Sequence, residues 1–119
     1  MIITIPISVG ELLDKISILQ IKSQFTDSPY VIKEREYLIE IAKENKVYFE
    51  DFLSQLLEVN SKLWTLENNL REFEKRHIFN EDFIEDARLV YINNDERARI
   101  KKEIDETTNS EMRETKIYK

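Results

Sequence analysis

Residues 31–73 read VIKEREYLIEIAKENKVYFEDFLSQLLEVNSKLWTLENNLREF. Apolar side chains recur through this stretch at alternating steps of four and three. They are Val31, Leu38, Ala42, Phe49, Phe52, Leu56, Val59, Leu63, Leu66, Leu70 and Phe73, with Arg35 and Asn45 at the two positions that break the series. No glycine or proline interrupts it. Such spacing marks one face of a helix buried against other helices. As one helix to His77 the run would be about 70 Å long at 1.5 Å per residue. A monomeric domain of 119 residues does not cover that length. The expectation is therefore a break near Asn45–Glu50 and an antiparallel helical hairpin. Unbroken, the run would demand a coiled-coil dimer or a larger assembly.

Outward from this stretch the chain stays poor in breakers. Gly10, Pro6 and Pro29 are its only glycine and prolines, all within the first thirty residues. A chain of this kind is overwhelmingly helical. Residues 2–7, IITIPI, are β-branched around a proline and read as an extended segment or edge strand. Ser8 with Glu11 three residues on forms a capping box. The helix that follows carries Leu12, Leu13, Ile16 and Leu19 on one face, widened by Ile18, Ile21 and Phe25. A stripe this broad means a central helix touched on more than one side. Asp27-Ser28-Pro29 stops one helix and starts the next, with Ser28 as cap and Pro29 as first helical residue. Asn80 caps a later helix with Phe83, Ile84, Ala87, Val90 and Tyr91 on its buried side. Asn93-Asn94-Asp95 reads as another stop and cap, before a last helix through Ala98, Ile100 and Ile104. Thr107–Ser110 is a polar loop, and the tail from Met112 to Lys119 is ambiguous: as an extended segment it could pair with residues 2–7.

Length makes this one domain, residues 1–119, burying roughly two-thirds of its unfolded surface. The 41% apolar content and the regular periodicity argue against disorder. Without cysteine there are no disulfides and no thiolate chemistry, which suits a reducing compartment. No apolar stretch is long enough to span a bilayer. The apolar N-terminus lacks the basic region and cleavage site of a signal peptide. The expected location is the cytoplasm. A net charge of −6 argues against a nucleic-acid partner. The charge is uneven, with 10 basic and 17 acidic side chains in residues 1–87 against 8 and 7 in residues 88–119.

Four groups of polar residues stand out. Asn60, Glu67 and Arg71 lie beside the apolar seam near Trp64, as a structural ion pair or the lining of a charged pocket. Glu11 with Asp14, and Glu81, Asp82, Glu85 and Asp86, are carboxylate sets. Facing each other they would hold Mg²⁺, as in helical nucleotide pyrophosphohydrolases. The bland reading leaves Glu11 in its capping box and the others as first-turn acids favoured by the helix dipole. Arg97 and Lys101, among Asp95, Arg99 and Lys102, fall on one face beyond the Asn94 cap. They would bind a phosphate or carboxylate there, or form a solvated face paired with Glu103 and Asp105. His77, the single histidine, reads as a dipole partner in the last turn of its helix. One histidine without cysteine nearly excludes zinc chemistry, and no glycine-rich serine elbow supports a triad. Trp64 and Tyr30, Tyr37, Tyr48, Tyr91 and Tyr118 read as packing and interface residues.

Four segments carry a resemblance: IPISVGELLDKISIL (5–19), LWTLENNLR (63–71), VYINNDERARIK (90–101) and ETKIY (114–118). Together they resemble a family of small bacterial and phage proteins described only as a domain of unknown function. The match runs from residue 3 to residue 118 and is poor over residues 30–60. The resemblance implies a cytoplasmic accessory to surface-polysaccharide or lipopolysaccharide assembly. It points to Asp14, Lys15, Lys22, Glu67, Arg71, Asn94, Asp95, Arg97 and Lys101 as candidate ligand-binding residues.

The sequence thus specifies an all-α bundle of four to five helices with a long helical hairpin and a short extended N-terminal segment. The leading function is a non-catalytic binding or assembly module. It is expected to be a homodimer through the apolar face of the hairpin, with no cofactor. The alternative is a small enzyme acting on a phosphorylated or carboxylated metabolite. It would be a Mg²⁺-dependent pyrophosphohydrolase or a chorismate-mutase-like bundle whose basic residues stabilise developing charge. Charges that pair off among themselves favour the first reading, and charges converging unpaired on a pocket favour the second.

Overall fold

The computed structural model describes residues 1–118 and contains four helices: α1 (Val9–Lys22), α2 (Pro29–Glu44), α3 (Glu50–Lys75) and α4 (Glu81–Thr107). The long run breaks at residues 45–49, where it was expected to. The two exceptions in its apolar series have local explanations. The Arg35 Nη1 donates to Ser23 Oγ across the α1–α2 turn at 3.0 Å. Asn45 is the C-cap of α2. The two arms of the run do not lie along each other. α2 packs on α1, while the long antiparallel hairpin of the molecule is α3 with α4.

α1 is the hub, packed against all three other helices, as its broad apolar stripe requires. Leu13 and Ile16 are fully buried on it, against Leu56 of α3 and Ile104 of α4. α2 contributes only Ala42 as a fully buried side chain, with Leu38, Ile39 and Ile41 half-buried beside it.

The helix ends show why a chain with one glycine still turns. Lys46, His77 and Asn109 follow α2, α3 and α4 in the left-handed region, at φ 58°, 53° and 52°. Each closes a Schellman-type turn: Val47 N to Ala42 O, Ile78 N to Phe73 O and Ser110 N to Asp105 O, at 2.9–3.0 Å. Non-glycine residues in this region cost roughly 1–2 kcal/mol each. His77 is thus a turn residue just past α3, where a dipole partner in the last helical turn was expected.

The stop expected at Asn93-Asn94-Asp95 does not exist. α4 runs unbroken through it. Asn93 turns its amide back onto Leu89 O at 2.9 Å instead of capping a new helix, and no glycine or proline forces a break. The bundle therefore has four helices. On the first half of α4, Ile84, Ala87 and Tyr91 were expected to be buried and are exposed. No third helix reaches them. α1 is about 21 Å long and α3 about 39 Å at 1.5 Å per residue, so α1 covers only one end of the hairpin. From residue 64 to residue 99 no side chain is fully buried. The Cα radius of gyration, 16.0 Å, exceeds the roughly 13.5 Å of a compact domain of this length.

Residues 1–7 and 111–118 carry no helix, and no strand occurs among the described residues. The expected pairing of residues 2–7 with the tail is therefore absent from residues 112–118, and Lys119 lies outside the described residues. Met1–Ile7 are exposed.

Candidate functional site

On α1, Glu11, Asp14 and Ser17 follow one another at steps of three. On α4, Arg97, Lys101 and Asp105 follow at steps of four. Each set lies on one face of its helix, and the two faces meet in antiparallel order. Three rungs result.

At the first rung, Asp105 Oδ1 accepts the Gly10 N–H at 2.7 Å. Ser8 Oγ accepts from Glu11 N and Ser110 Oγ from Val9 N, at 3.0 and 3.2 Å. The N–H groups of Val9, Gly10 and Glu11, left without partners by the start of α1, are thereby satisfied. A carboxylate also sits at the positive end of the helix dipole. The rung depends on the glycine. A Cβ there would lie 2.7 Å from the Lys101 carbonyl oxygen and 2.8 Å from Asp105 Oδ1.

At the second rung, Lys101 Nζ donates to Glu11 Oε2 at 2.7 Å and to Glu114 Oε2 at 2.8 Å. Glu11 therefore serves an ion pair and not the reciprocal half of the expected capping box. Glu114 comes from the C-terminal segment and also pairs with Lys116. Burial pulls the Lys101 pKa down, and the hydrogen bonds to Glu11 and Glu114 more than offset it, so the net shift is upward. Hydrogen bonds from Lys101 and Lys116 draw the Glu114 carboxyl down to about 2.

At the third rung, the fully buried Asp14 carboxylate receives Arg97 in a fork, Nε to Oδ1 at 2.9 Å and Nη2 to Oδ2 at 2.5 Å. Asn60 of α3 donates to the same Oδ1 at 2.9 Å and to Ser17 Oγ at 2.7 Å. Ser17 in turn donates to Asp14 O. The hydrogen bond to Asp14 raises the Arg97 pKa further.

A cavity of about 270 Å³ opens beside the second and third rungs, bounded by Glu11, Asn94, Arg97, Lys101, Glu114 and Lys116. Three basic and three acidic side chains (Arg97, Lys101 and Lys116 with Asp14, Glu11 and Glu114) balance there.

Of the candidate residues, Asp14, Arg97 and Lys101 come together, with Asn94 on the cavity rim. Lys15, Lys22, Glu67, Arg71 and Asp95 are exposed elsewhere. Glu67 and Arg71 form no ion pair among the described residues, and only Asn60 of that group enters the network. The helix N-terminus expected beside Arg97 is absent because α4 is continuous. Arg99 pairs with Glu96 and Glu103 on the solvated side. Glu81, Asp82 and Glu85 are exposed in the first turns of α4. Among the described residues no group of three or more His, Cys, Asp or Glu is placed to hold a metal ion. No helix among them is long and apolar enough to cross a membrane. Gly10, Ser17, Asp105 and Glu114 were missed as site residues. The available signals were the single glycine inside the first turn of a helix and the place of Gly10, Ser17 and Glu114 in the segments that carry the family resemblance.

The chain belongs to a family of unknown function (DUF6165), whose model matches residues 3–119. No curated protein and no solved structure matches it.

Proposed function

We propose that this family member is a small non-catalytic binding and assembly module. It acts in the cytoplasm, as a homodimer and without a cofactor. The observation that carries this reading is the mutual neutralisation of the charges at the α1–α4 seam. Asp14 is spent on Arg97, and Glu11 and Glu114 on Lys101. Charges converging unpaired on a pocket would favour an enzyme. Here the ionised side chains are committed to one another and fix the register of α1 on α4.

The homodimer is supported by the far half of the α3–α4 hairpin. Leu66, Leu70, Phe73, Phe83, Leu89 and Val90 remain only half-buried there. A second copy laid on this seam would supply the missing layer of a four-helix arrangement.

The test is a thermal-shift screen of the full chain against nucleotides, nucleotide sugars, sugar phosphates and dicarboxylates, with and without Mg²⁺. A ligand at a hundred times its Kd adds about 2.7 kcal/mol, several degrees in Tm for a domain of this size. A flat response is expected. A rise of several degrees with one class of phosphorylated metabolite, above all one requiring Mg²⁺, would overturn the reading in favour of the enzyme.

A further inference from the structure

We propose that the cavity between α1, α4 and the C-terminal segment is a carboxylate-binding site, and that Glu114 holds the acceptor position on Lys101 at its edge as an internal stand-in for a carboxylate from outside the chain. This deepens the binding-module reading and rests on it.

The donors at the cavity are built into the bundle, whereas the acceptor is not. The Lys101 side chain is only 10% exposed, and Arg97 is fixed by its fork on buried Asp14. The Arg97 Nη1 has no hydrogen-bond partner among the described residues, although the residue lines the cavity. Asn94 brings an amide to the rim. The acceptor arrives on residues 111–118, which are exposed throughout and have no regular structure. Their apolar side chains do not anchor them: Met112 is 52%, Ile117 77% and Tyr118 76% exposed. The segment is held to the seam by the Glu114 carboxylate. A segment tied by one ionic group exchanges readily with a ligand carrying the same group.

The acceptor that the segment takes away sets the ligand class. When the segment withdraws, Lys116 leaves with Glu114, so Arg97 and Lys101 remain balanced by Asp14 and Glu11. Lys101 keeps Glu11 and loses its second, ionised acceptor. A single carboxylate restores that charge-assisted hydrogen bond. The space of about 270 Å³ is what remains with Glu114 and Lys116 in place as walls, and withdrawal of the segment enlarges it. A carboxylate of a few heavy atoms or the acidic side chain of a peptide fits there.

The experiment compares the full-length wild type with Glu114→Gln and Glu114→Ala. Sodium acetate and a capped Glu-Thr-Lys-Ile-Tyr peptide are titrated separately at matched ionic strength, with chloride as control. Binding is read from the NMR signals of Arg97 Nε–H and the Lys101 ammonium. If the segment is closed more than about nine-tenths of the time, opening it tightens the apparent affinity about tenfold or more. Saturable shifts at both signals are expected in both variants at least tenfold more tightly than in wild type, abolished when Lys101→Met is added. Tighter binding of the peptide than of acetate would assign the source to an acidic peptide, and equal binding to a free carboxylate. Affinities equal to wild type in both Glu114 variants, or shifts matched by chloride, would overturn the proposal. Its failure would leave the thermal-shift test above unchanged, since that test reads the wild type with Glu114 in place.

Discussion

The two halves of the α3–α4 hairpin share the same apolar periodicity but differ in burial. In the half covered by α1, Leu53, Leu56, Val59 and Leu63 of α3 and Ile100 and Ile104 of α4 are all 6% exposed or less. In the far half, Leu66, Leu70 and Phe73 continue the same stripe, and none is fully buried. The sequence pattern is continuous across a boundary at which the third layer stops. Helical periodicity therefore reports which face of a helix is apolar. It does not report whether the molecule has anything to put against that face.

The polar network belongs entirely to the covered half, so the largest loss of stability is expected where that network is cut. Asp14→Ala leaves the Arg97 guanidinium half-buried without its carboxylate and strips Asn60 of one acceptor. Removing one partner of a buried pair costs about 3–5 kcal/mol. Urea denaturation of Asp14→Ala should show a loss in that range, with Asp14→Asn in between. A loss below about 1 kcal/mol would mean that the seam is hydrated and not a structural fixture.

The next effect compares the halves directly. Leu56→Ala, in the covered half, should cost about 2–5 kcal/mol. Leu70→Ala, on the same stripe, should cost less than half as much in a dilute monomer, because the side chain keeps much of its contact with water. Equal losses would mean that Leu70 is fully covered in solution. In the proposed dimer the Leu70→Ala cost grows with protein concentration, and Tm rises with concentration in wild type. Light scattering of wild type and Phe73→Glu then separates the cases. A dimer converted to monomer by Phe73→Glu with helicity retained supports the assembly. A wild type monomeric at all concentrations removes it.

How much of this was legible in the sequence follows from the same asymmetry. The capped start of α1 at Ser8, the Pro29 restart, the break after Glu44 and the Asn80 cap are local signals carried by a few adjacent residues, and all of them hold. The central role of α1 was readable from the width of its stripe. What failed depended on tertiary context. Asn93-Asn94-Asp95 has the composition of a cap, but Asn93 bonds back to Leu89 and the helix continues. Ile84 and Tyr91 have the right period for burial and no helix to bury them. At the site, Asp14, Arg97 and Lys101 were singled out as charged residues on helix faces, yet their pairing spans more than eighty residues of chain and no spacing rule encodes it. The contact between Gly10 and Asp105 was not readable because it is made by a backbone N–H and by the absence of a Cβ.

Gly10 offers a smaller and more specific probe of the covered half. In Gly10→Ala the new methyl meets the Lys101 carbonyl at 2.7 Å, an atom fixed inside α4, so α1 must shift outward. Overpacking of this kind costs about 1–3 kcal/mol. Differential scanning calorimetry should show a lower Tm, although alanine is the better helix former. An unchanged or raised Tm would mean that the two helices do not approach this closely.

The smallest effect concerns Glu114, which attaches an otherwise exposed segment to the covered half. Its carboxyl titrates near 2 instead of the ordinary 4.5 because Lys101 and Lys116 donate to its charged form. A depressed folded-state pKa contributes stability that is complete above the unfolded value and is lost as the pH falls through the folded one. The contribution should therefore be intact above about pH 4.5 and disappear between there and about pH 2. The side chain is 43% exposed, so solvent screening holds the contribution below about 1 kcal/mol. Wild type should accordingly exceed Glu114→Gln in Tm by a few degrees at most at pH 6, with the gap narrowing on acidification. The side-chain carboxyl carbon of Glu114, followed by NMR, provides the direct check. A midpoint well below the ordinary range places the segment on Lys101 in solution. A midpoint near 4.5 detaches it, and the covered half then ends at Asp105 and Ser110, with Lys101 held by Glu11 alone.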